Sequence, residues 1–182
     1  RLAHEQHPLE PGLPVQAIRS SVRVAADLVD ACVARLVEAG KITVASGLAA
    51  RAGWTAGGGD ADSQRAAAVL ATLKEAGPRP PSLDELAVAH GKNVFAILKM
   101  LVRRGDLIAV ASDRYFSRES VDQLVATVEL ALAGGTELTA SQIRESIGVT
   151  RKYLIPFLEY CDRQGITLRK GDLRVLGASR KP

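Results

Sequence analysis

Three times along this chain an apolar helical segment ends in polar residues and a glycine, and a β-rich apolar segment follows at once. The copies are Leu36-Val-Glu-Ala-Gly40-Lys-Ile-Thr-Val44, Leu101-Val-Arg-Arg-Gly105-Asp-Leu-Ile-Ala-Val110 and Tyr160-Cys-Asp-Arg-Gln-Gly165-Ile-Thr-Leu168. Their glycines stand 65 and 60 residues apart, a period long enough for a complete small domain. Glycine suits the position just past a helix end, where φ turns positive and a side chain would be penalised. A chain that repeats this device has to build one kind of small unit three times.

Upstream of each glycine the spacing is helical. Val94, Ile97, Leu98 and Leu101 fall at i, i+3, i+4 and i+7, as do Leu154, Phe157, Leu158 and Cys161; Val29, Val33, Leu36 and Val37 give a similar stripe. Shorter helices precede these, with Ser82-Leu-Asp-Glu85 and Thr139-Ala-Ser-Gln142 matching the capping box and Pro14 suited to a first turn. Gly91 and Gly148 break the short helix from the long one. A further helix opens the second and third repeats, from Ser63 to about Ala76 and from Ser120 to about Ala133, with Ser120 and Gln123 as another capping box. Second strands are expected at Asp113–Phe116 and Asp172–Leu176, with Gly171-Asp172 as a turn.

Helix, short helix, turn, longer helix and hairpin is the order of a winged helix. The expected fold is mainly α with small β-hairpins, an α+β chain of three tandem winged helices at 1–59, 60–118 and 119–182. Linkers are expected near Ala56–Asp60 and around Ser117–Ser120. The first repeat lacks a clear long first helix; Arg1–His7 is read as its remainder, with the chain beginning inside a longer protein. Aromatics are only 4%, so the cores have to be built from Ala, Leu, Val and Ile. Cys32 and Cys161 both fall on apolar helical faces and are expected in cores rather than in a disulfide. No run approaches the ~18 apolar residues of a membrane span.

Charge separates the third repeat from the others. From Thr136 onward the chain has nine Lys/Arg (144, 151, 152, 163, 169, 170, 174, 180, 181) against five Asp/Glu (137, 145, 159, 162, 172), an excess of four that equals the net charge of all 182 residues. A charge excess confined to one folding unit is what a polyanion site looks like. Thr150-Arg151-Lys152-Tyr153 lies at the entry to the third repeat's long helix, where free N–H groups and the helix dipole favour an anion. Tyr153 is suited either to stack on a base or to sit half-buried at the helix start. Arg169-Lys170-Gly171-Asp172-Leu173-Arg174 reads as the wing, its cations alternating with Leu168, Leu173 and Val175 as on a strand with one wet face. Pro156 is out of place well inside a helix, so the helix starts nearer Tyr153 or its first turn is distorted.

The chemistry of catalysis is missing from the pattern. The glycine run at 57–59 leads into Asp60 rather than the Lys-Ser/Thr of a phosphate-cradling loop. His4, His7 and His90 have no cysteine or carboxylate at zinc spacing. No metal, cofactor or enzymatic activity is expected.

His7-Pro-Leu-Glu-Pro-Gly-Leu-Pro14 with Ile18-Arg19, Thr150-Arg-Lys-Tyr-Leu-Ile-Pro-Phe-Leu-Glu-Tyr-Cys-Asp-Arg163 and Gly165-Ile-Thr-Leu-Arg-Lys-Gly-Asp-Leu-Arg-Val-Leu176 resemble the C-terminal region of bacterial selenocysteine-specific elongation factors, the SelB family. The resemblance covers most of the chain, is most specific from Gln142 to Leu176, and includes Pro156. It implies tandem winged helices of which the last binds the SECIS hairpin of selenoprotein mRNA, directing selenocysteine to UGA. The others would connect to a GTPase body, absent here, that carries GTP, magnesium and selenocysteyl-tRNA. It implies RNA contacts by Arg151, Lys152 and Tyr153, supported from the wing by Arg169, Lys170 and Arg174; Arg144, Thr150 and Arg163 complete the candidate set. The expected setting is a cytoplasmic monomer working at the ribosome. Two other readings stand beside it: a DNA-binding transcriptional regulator, since winged helices commonly take DNA, and a protein-interaction scaffold, a role that suits the nearly neutral first two repeats.

Overall fold

The computed structural model describes residues 2–6, 8–57 and 59–177; His7, Gly58, Arg180 and Lys181, which entered the sequence argument, lie outside them. The chain divides into two compact units, Arg1–Ala66 and Ala67–Pro182.

The first unit contains a short helix α1 (Leu2–Gln6), strand β1 (Leu13–Pro14), helices α2 (Val15–Ser21) and α3 (Ala26–Glu38), and the hairpin β2 (Ile42–Ala45) and β3 (Leu48–Arg51). The three strands form an antiparallel sheet in the order β1-β3-β2. Gly12 lets β1 close on β3, because a Cβ there would stand 2.7 Å from the carbonyl oxygen of Ala49. Pro14 stands at the N-cap position of α2, just outside the first turn expected for it, and makes no side-chain cap hydrogen bond. Arg19 grips both carboxylate oxygens of Asp30 at 2.8 Å, tying α2 to α3. The core is small: Leu9, Val29 and Ala49 are buried, while Leu28 and Leu36 on α3 are 56% and 39% exposed. Cys32 is exposed too, and so departs from the core position expected of it. The stripe spacing identified the helix correctly, but the strip of α3 that carries Cys32 has no layer over it within this unit.

The second unit runs the winged-helix order twice. The remaining turns of α4 (Asp60–Ala76) lead to α5 (Leu83–His90), α6 (Val94–Arg104) and the hairpin β4 (Leu107–Ala111) and β5 (Arg114–Ser117). Helix α7 (Arg118–Ala131), a 3-10 turn at Ala133–Gly135, strand β6 (Leu138–Thr139), α8 (Ala140–Ile147), α9 (Arg151–Arg163) and the strands β7 (Thr167–Lys170) and β8 (Leu173–Leu176) follow. Two of the three expected capping boxes form: Ser82 with Glu85 on α5 and Thr139 with Gln142 on α8. Gly105 and Gly165 take φ of +84° and +69°, as their place after a helix requires. Helices α4 and α7 begin two or three residues before Ser63 and Ser120. Ser117 caps α7, accepting from the Ser120 N–H, so no box forms at Ser120 and Gln123.

The second repeat's hairpin is built into the core of the third. Val110 and Phe116 from the β4–β5 hairpin lie in the same buried cluster as Val121 and Val128 of α7 and Leu154, Phe157, Leu158 and Cys161 of α9. The rings of Phe116 and Phe157 sit 6.4 Å apart. The expected linker at Ser117–Ser120 is therefore not one. Ser117 ends β5 and caps α7 at once, and its side chain is 1% exposed. A polar Ser-Arg-Glu-Ser run resembles a linker, but here both serines are consumed by capping and only Arg118 and Glu119 face solvent.

The two cysteines should report this architecture. Burial pushes the Cys161 thiol up to about 12, and the thiolate is the reactive form. With a thiol-specific disulfide reagent at pH 8, one equivalent (Cys32) is expected to react at once and the second only after denaturant is added. Two fast thiols would mean that the shared core is open.

Candidate nucleic-acid interface

The third repeat places its short and long helices around a tight turn. Gly148 ends α8 in the left-handed conformation (φ +71°), Val149 is buried, and Thr150 caps α9 in extended geometry without a side-chain hydrogen bond to the helix. The backbone N–H groups of Tyr153 and Leu154 both reach the Thr150 carbonyl, at 3.0 and 3.1 Å. Helix α9 starts at Arg151 and runs through Pro156. The proline removes the bond its N–H would have made to the carbonyl of Lys152, yet the helix start does not shift to Tyr153. Packing of Leu154, Phe157 and Leu158 in the shared core holds the segment helical.

Beside this turn lies a cavity of about 450 Å3. Arg144 from the end of α8, Arg151 from the start of α9 and Arg169 from β7 line it together, with Leu154 and Ile155 as apolar wall. Glu159 and Asp172 add two carboxylates. All three arginines are exposed side chains. Arg169 also closes the wing, its Nε donating to the Gly171 carbonyl at 2.9 Å.

Arg174 of β8 also lines the cavity; the other candidates stand outside it. Lys152 is exposed outside the cavity, its Nζ 5.7 Å from the Tyr153 ring centre. Tyr153 is half-buried, packed against the shared core. Thr150 is exposed at the turn. Lys170 meets Glu137 at 2.9 Å across the wing base, a solvent-exposed pair of the kind worth little in stability. Two of the candidates are held by acceptors of the protein's own. Arg163 does not join the cluster: its Nη2 donates to the Val110 carbonyl at 2.7 Å, where it ties α9 to the second repeat. Arg174 is only 5% exposed, and its Nε and Nη2 bind the Asp162 carboxylate at 2.9 to 3.2 Å. Thr167 donates its hydroxyl to the same carboxylate.

Strand register explains why the wing alternation misled. Arg169 pairs with Arg174 and Leu168 with Val175, so the two arginines share one face of the hairpin and the apolar pair shares the other. Arg174 on that face is buried against Asp162 while Leu168 on the opposite face is 56% exposed. Sequence reasoning also missed Glu159. It stands at i+8 from Arg151 with Ile155 at i+4, a spacing that puts all three on one strip of α9.

Two family models, each described as elongation factor SelB, winged helix, match residues 4–48 and 131–176. A selenocysteine-specific elongation factor of Desulfomicrobium baculatum is 27% identical over 176 residues, 94% of this chain and 28% of that protein. This chain belongs to the SelB winged-helix family. The Escherichia coli selenocysteine-specific elongation factor is 28% identical over 103 residues, 55% of the chain and 17% of that protein. The chain thus spans about a quarter or less of the length of these relatives. Among solved structures, the mRNA-binding domain of E. coli SelB in complex with SECIS RNA superposes with a TM-score of 0.50 at 28% identity, over 63% of this chain and 98% of that one. The crystal structure of a bacterial selenocysteine-specific elongation factor shares the fold over 96% of this chain and 27% of its own, with a TM-score of 0.58 at 20% identity. Among the described residues no helix is long and apolar enough to cross a membrane, and no group of His, Cys, Asp and Glu is arranged to hold a metal ion.

The burial of the Arg174–Asp162 pair can be tested directly. Removing one partner of a buried pair strands the other charge, typically at ~3–5 kcal/mol. With Asp162 partly open to solvent, Arg174→Ala is expected to lower the unfolding free energy by about 2–4 kcal/mol, measured by denaturant unfolding. A loss of only a few tenths would return Arg174 to the list of surface cations.

Proposed function

We propose that this chain is the mRNA-binding C-terminal region of a selenocysteine-specific elongation factor, and that its third winged helix grips a SECIS-type RNA hairpin to direct selenocysteine to UGA. The observation that supports this most is the convergence of Arg144, Arg151 and Arg169 on one cavity at the α8–α9 turn, in a chain of this family. The major groove of A-form RNA is too deep and narrow to admit a helix, so a winged helix grips the hairpin backbone and takes a base that leaves the stack. Arginines at the rim suit phosphates. The carboxylates of Glu159 and Asp172 accept hydrogen bonds, which a phosphate does not donate and a base edge does. A cavity carrying both signs over an apolar wall fits an extruded base on its backbone better than a bare phosphate.

The three winged helices at 1–59, 60–118 and 119–182 divide the work in this reading. The last reads RNA, and the first two connect it to a GTPase body. GTP, magnesium and selenocysteyl-tRNA belong to that body, the ribosome is the common platform, and the setting is the cytoplasm. The chain itself is a monomeric binding region rather than a catalyst.

Fluorescence anisotropy of the full 182-residue chain tests this with three ligands at fixed salt: a bulged SECIS-type hairpin, the same hairpin fully paired, and duplex DNA of equal length. Preference for the first by ~100-fold or more is expected, given the usual gap between specific and non-specific binding. About four phosphate contacts give a log–log salt slope of roughly −3 to −4. Arg151→Ala is expected to cost about 1–3 kcal/mol and to reduce the slope by roughly one. Equal affinity for all three ligands, unchanged by Arg151→Ala, would overturn the reading.

A further inference from the structure

The turn that opens α9 is braced by two arginines of the preceding repeat. Arg79, between α4 and α5, donates Nη2 to the Gly148 carbonyl at 3.0 Å. Arg114, first residue of β5, is 7% exposed and donates Nη1 to the Pro80 carbonyl at 3.3 Å. Its guanidinium also lies 5.6 Å from the centre of the Tyr153 ring, within the range of a cation–π contact. Arg79 and Pro80 are adjacent, so one short segment of the second repeat anchors both contacts. Lys152 stands over the same ring. The second repeat's Glu85 lies close enough to Lys152 and Arg114 to feel both charges: its carboxyl is held below the usual range first by hydrogen bonds from Ser82 and further by these two cations.

Arg114 is a poor candidate for a stability device. The carboxylate it pairs with, Asp113, is 3.5 Å away and more than half exposed, and a buried guanidinium with so exposed a partner loses much of the attraction to desolvation. What it does is fix the position of an aromatic ring whose neighbours, Arg151 and Lys152, face solvent.

We propose that Arg114 and Arg79 are positioning residues for RNA binding by the third repeat. Arg114 holds the Tyr153 ring, and Arg79 holds the Gly148 carbonyl, so that the α8–α9 turn meets RNA already ordered. The proposal rests on the RNA-binding reading and adds to it a role for the second repeat. A ring and a turn fixed in advance spare the cost of ordering them on binding. Neither arginine reaches the cavity, so each acts through the group it holds.

The test uses the full chain and the bulged hairpin, with folding checked by circular dichroism. Arg114→Met, which keeps length and packing, is expected to weaken binding about 5- to 20-fold, mainly through faster dissociation. The salt slope is expected to stay unchanged, because no phosphate contact is lost. Arg79→Ala, a change at an exposed residue that does not endanger the fold, is expected to weaken binding about 3- to 10-fold in the same manner. In a double-mutant cycle, Arg114→Met is expected to have little further effect once Tyr153 is alanine. Should Arg114→Met fail to fold, Arg79→Ala decides alone. Unchanged affinity in either variant, additivity of Arg114→Met with Tyr153→Ala, or a salt slope reduced as in Arg151→Ala would overturn the positioning role. If Arg151→Ala still weakens binding of the bulged hairpin in that case, the RNA-binding reading survives without it.

Discussion

Burial of the β4–β5 hairpin against α7 and α9 is the contact on which the second unit depends. Val110 and Phe116 would be the outer wall of a free-standing second winged helix. Here they are 0% and 1% exposed, in the same cluster as Phe157 and Cys161. Small domains bury too little of their surface to be stable by a wide margin, and two repeats that share a wall remove that weakness for both. The consequence reaches function. Helix α9 is seated on its neighbour's hairpin as well as on its own repeat, with Arg163 hydrogen-bonded to Val110. The helix is therefore part of a packed pair of repeats rather than of a tethered module.

The features legible in the sequence are those set by local chemistry. Glycine after a helix, serine or threonine three residues before a glutamate or glutamine, and apolar residues at i, i+3, i+4 and i+7 each reflect an interaction closed within one turn. They placed α5, α6, α8 and α9 within a residue or two. What sequence did not reveal was decided by partners far along the chain. Ser117-Arg-Glu-Ser120 has the composition of a linker, and only the fold shows that both serines are buried as a cap. Cys32 lies on a helical stripe just as Cys161 does, yet only one of the two stripes is covered within its unit. The two-residue strands β1 and β6 carry no pattern of their own; each exists because a hairpin edge lies beside it.

The basic cluster shows the same division. Of the cations that charge counting put in one repeat, seven lie among the described residues, and the structure shows which are buried or engaged far from the turn. Arg174 is taken by Asp162, twelve residues away, and Arg163 by a carbonyl of the preceding repeat. Lys170 is shared with Glu137. Arg144, Arg151 and Arg169 present exposed side chains to a common space, drawn from a helix end, a helix start and a strand, with the buried Arg174 in its wall. Sequence could locate the excess but not its disposition, because a strand pair assigns sides by register, and register places Arg169 and Arg174 together.

Helix α9 breaks several rules of an isolated helix. It opens on two cations where its dipole favours anions, lacks a side-chain cap at Thr150, and contains Pro156. Each departure costs stability, and each leaves something at the surface. The uncapped first turn has free N–H groups, and Arg151 and Lys152 add charge beside them. The proline removes the donor that would otherwise engage the Lys152 carbonyl. A helix carried by propensity alone does not tolerate all three at once. One whose Leu154, Phe157, Leu158 and Cys161 are nearly fully buried does, because its stability comes from packing along the far side. The core that α9 shares with the second repeat's hairpin is thus what permits an N-terminus with two cations and no side-chain cap, and the stability of that packing and the chemistry of the turn are two sides of one helix.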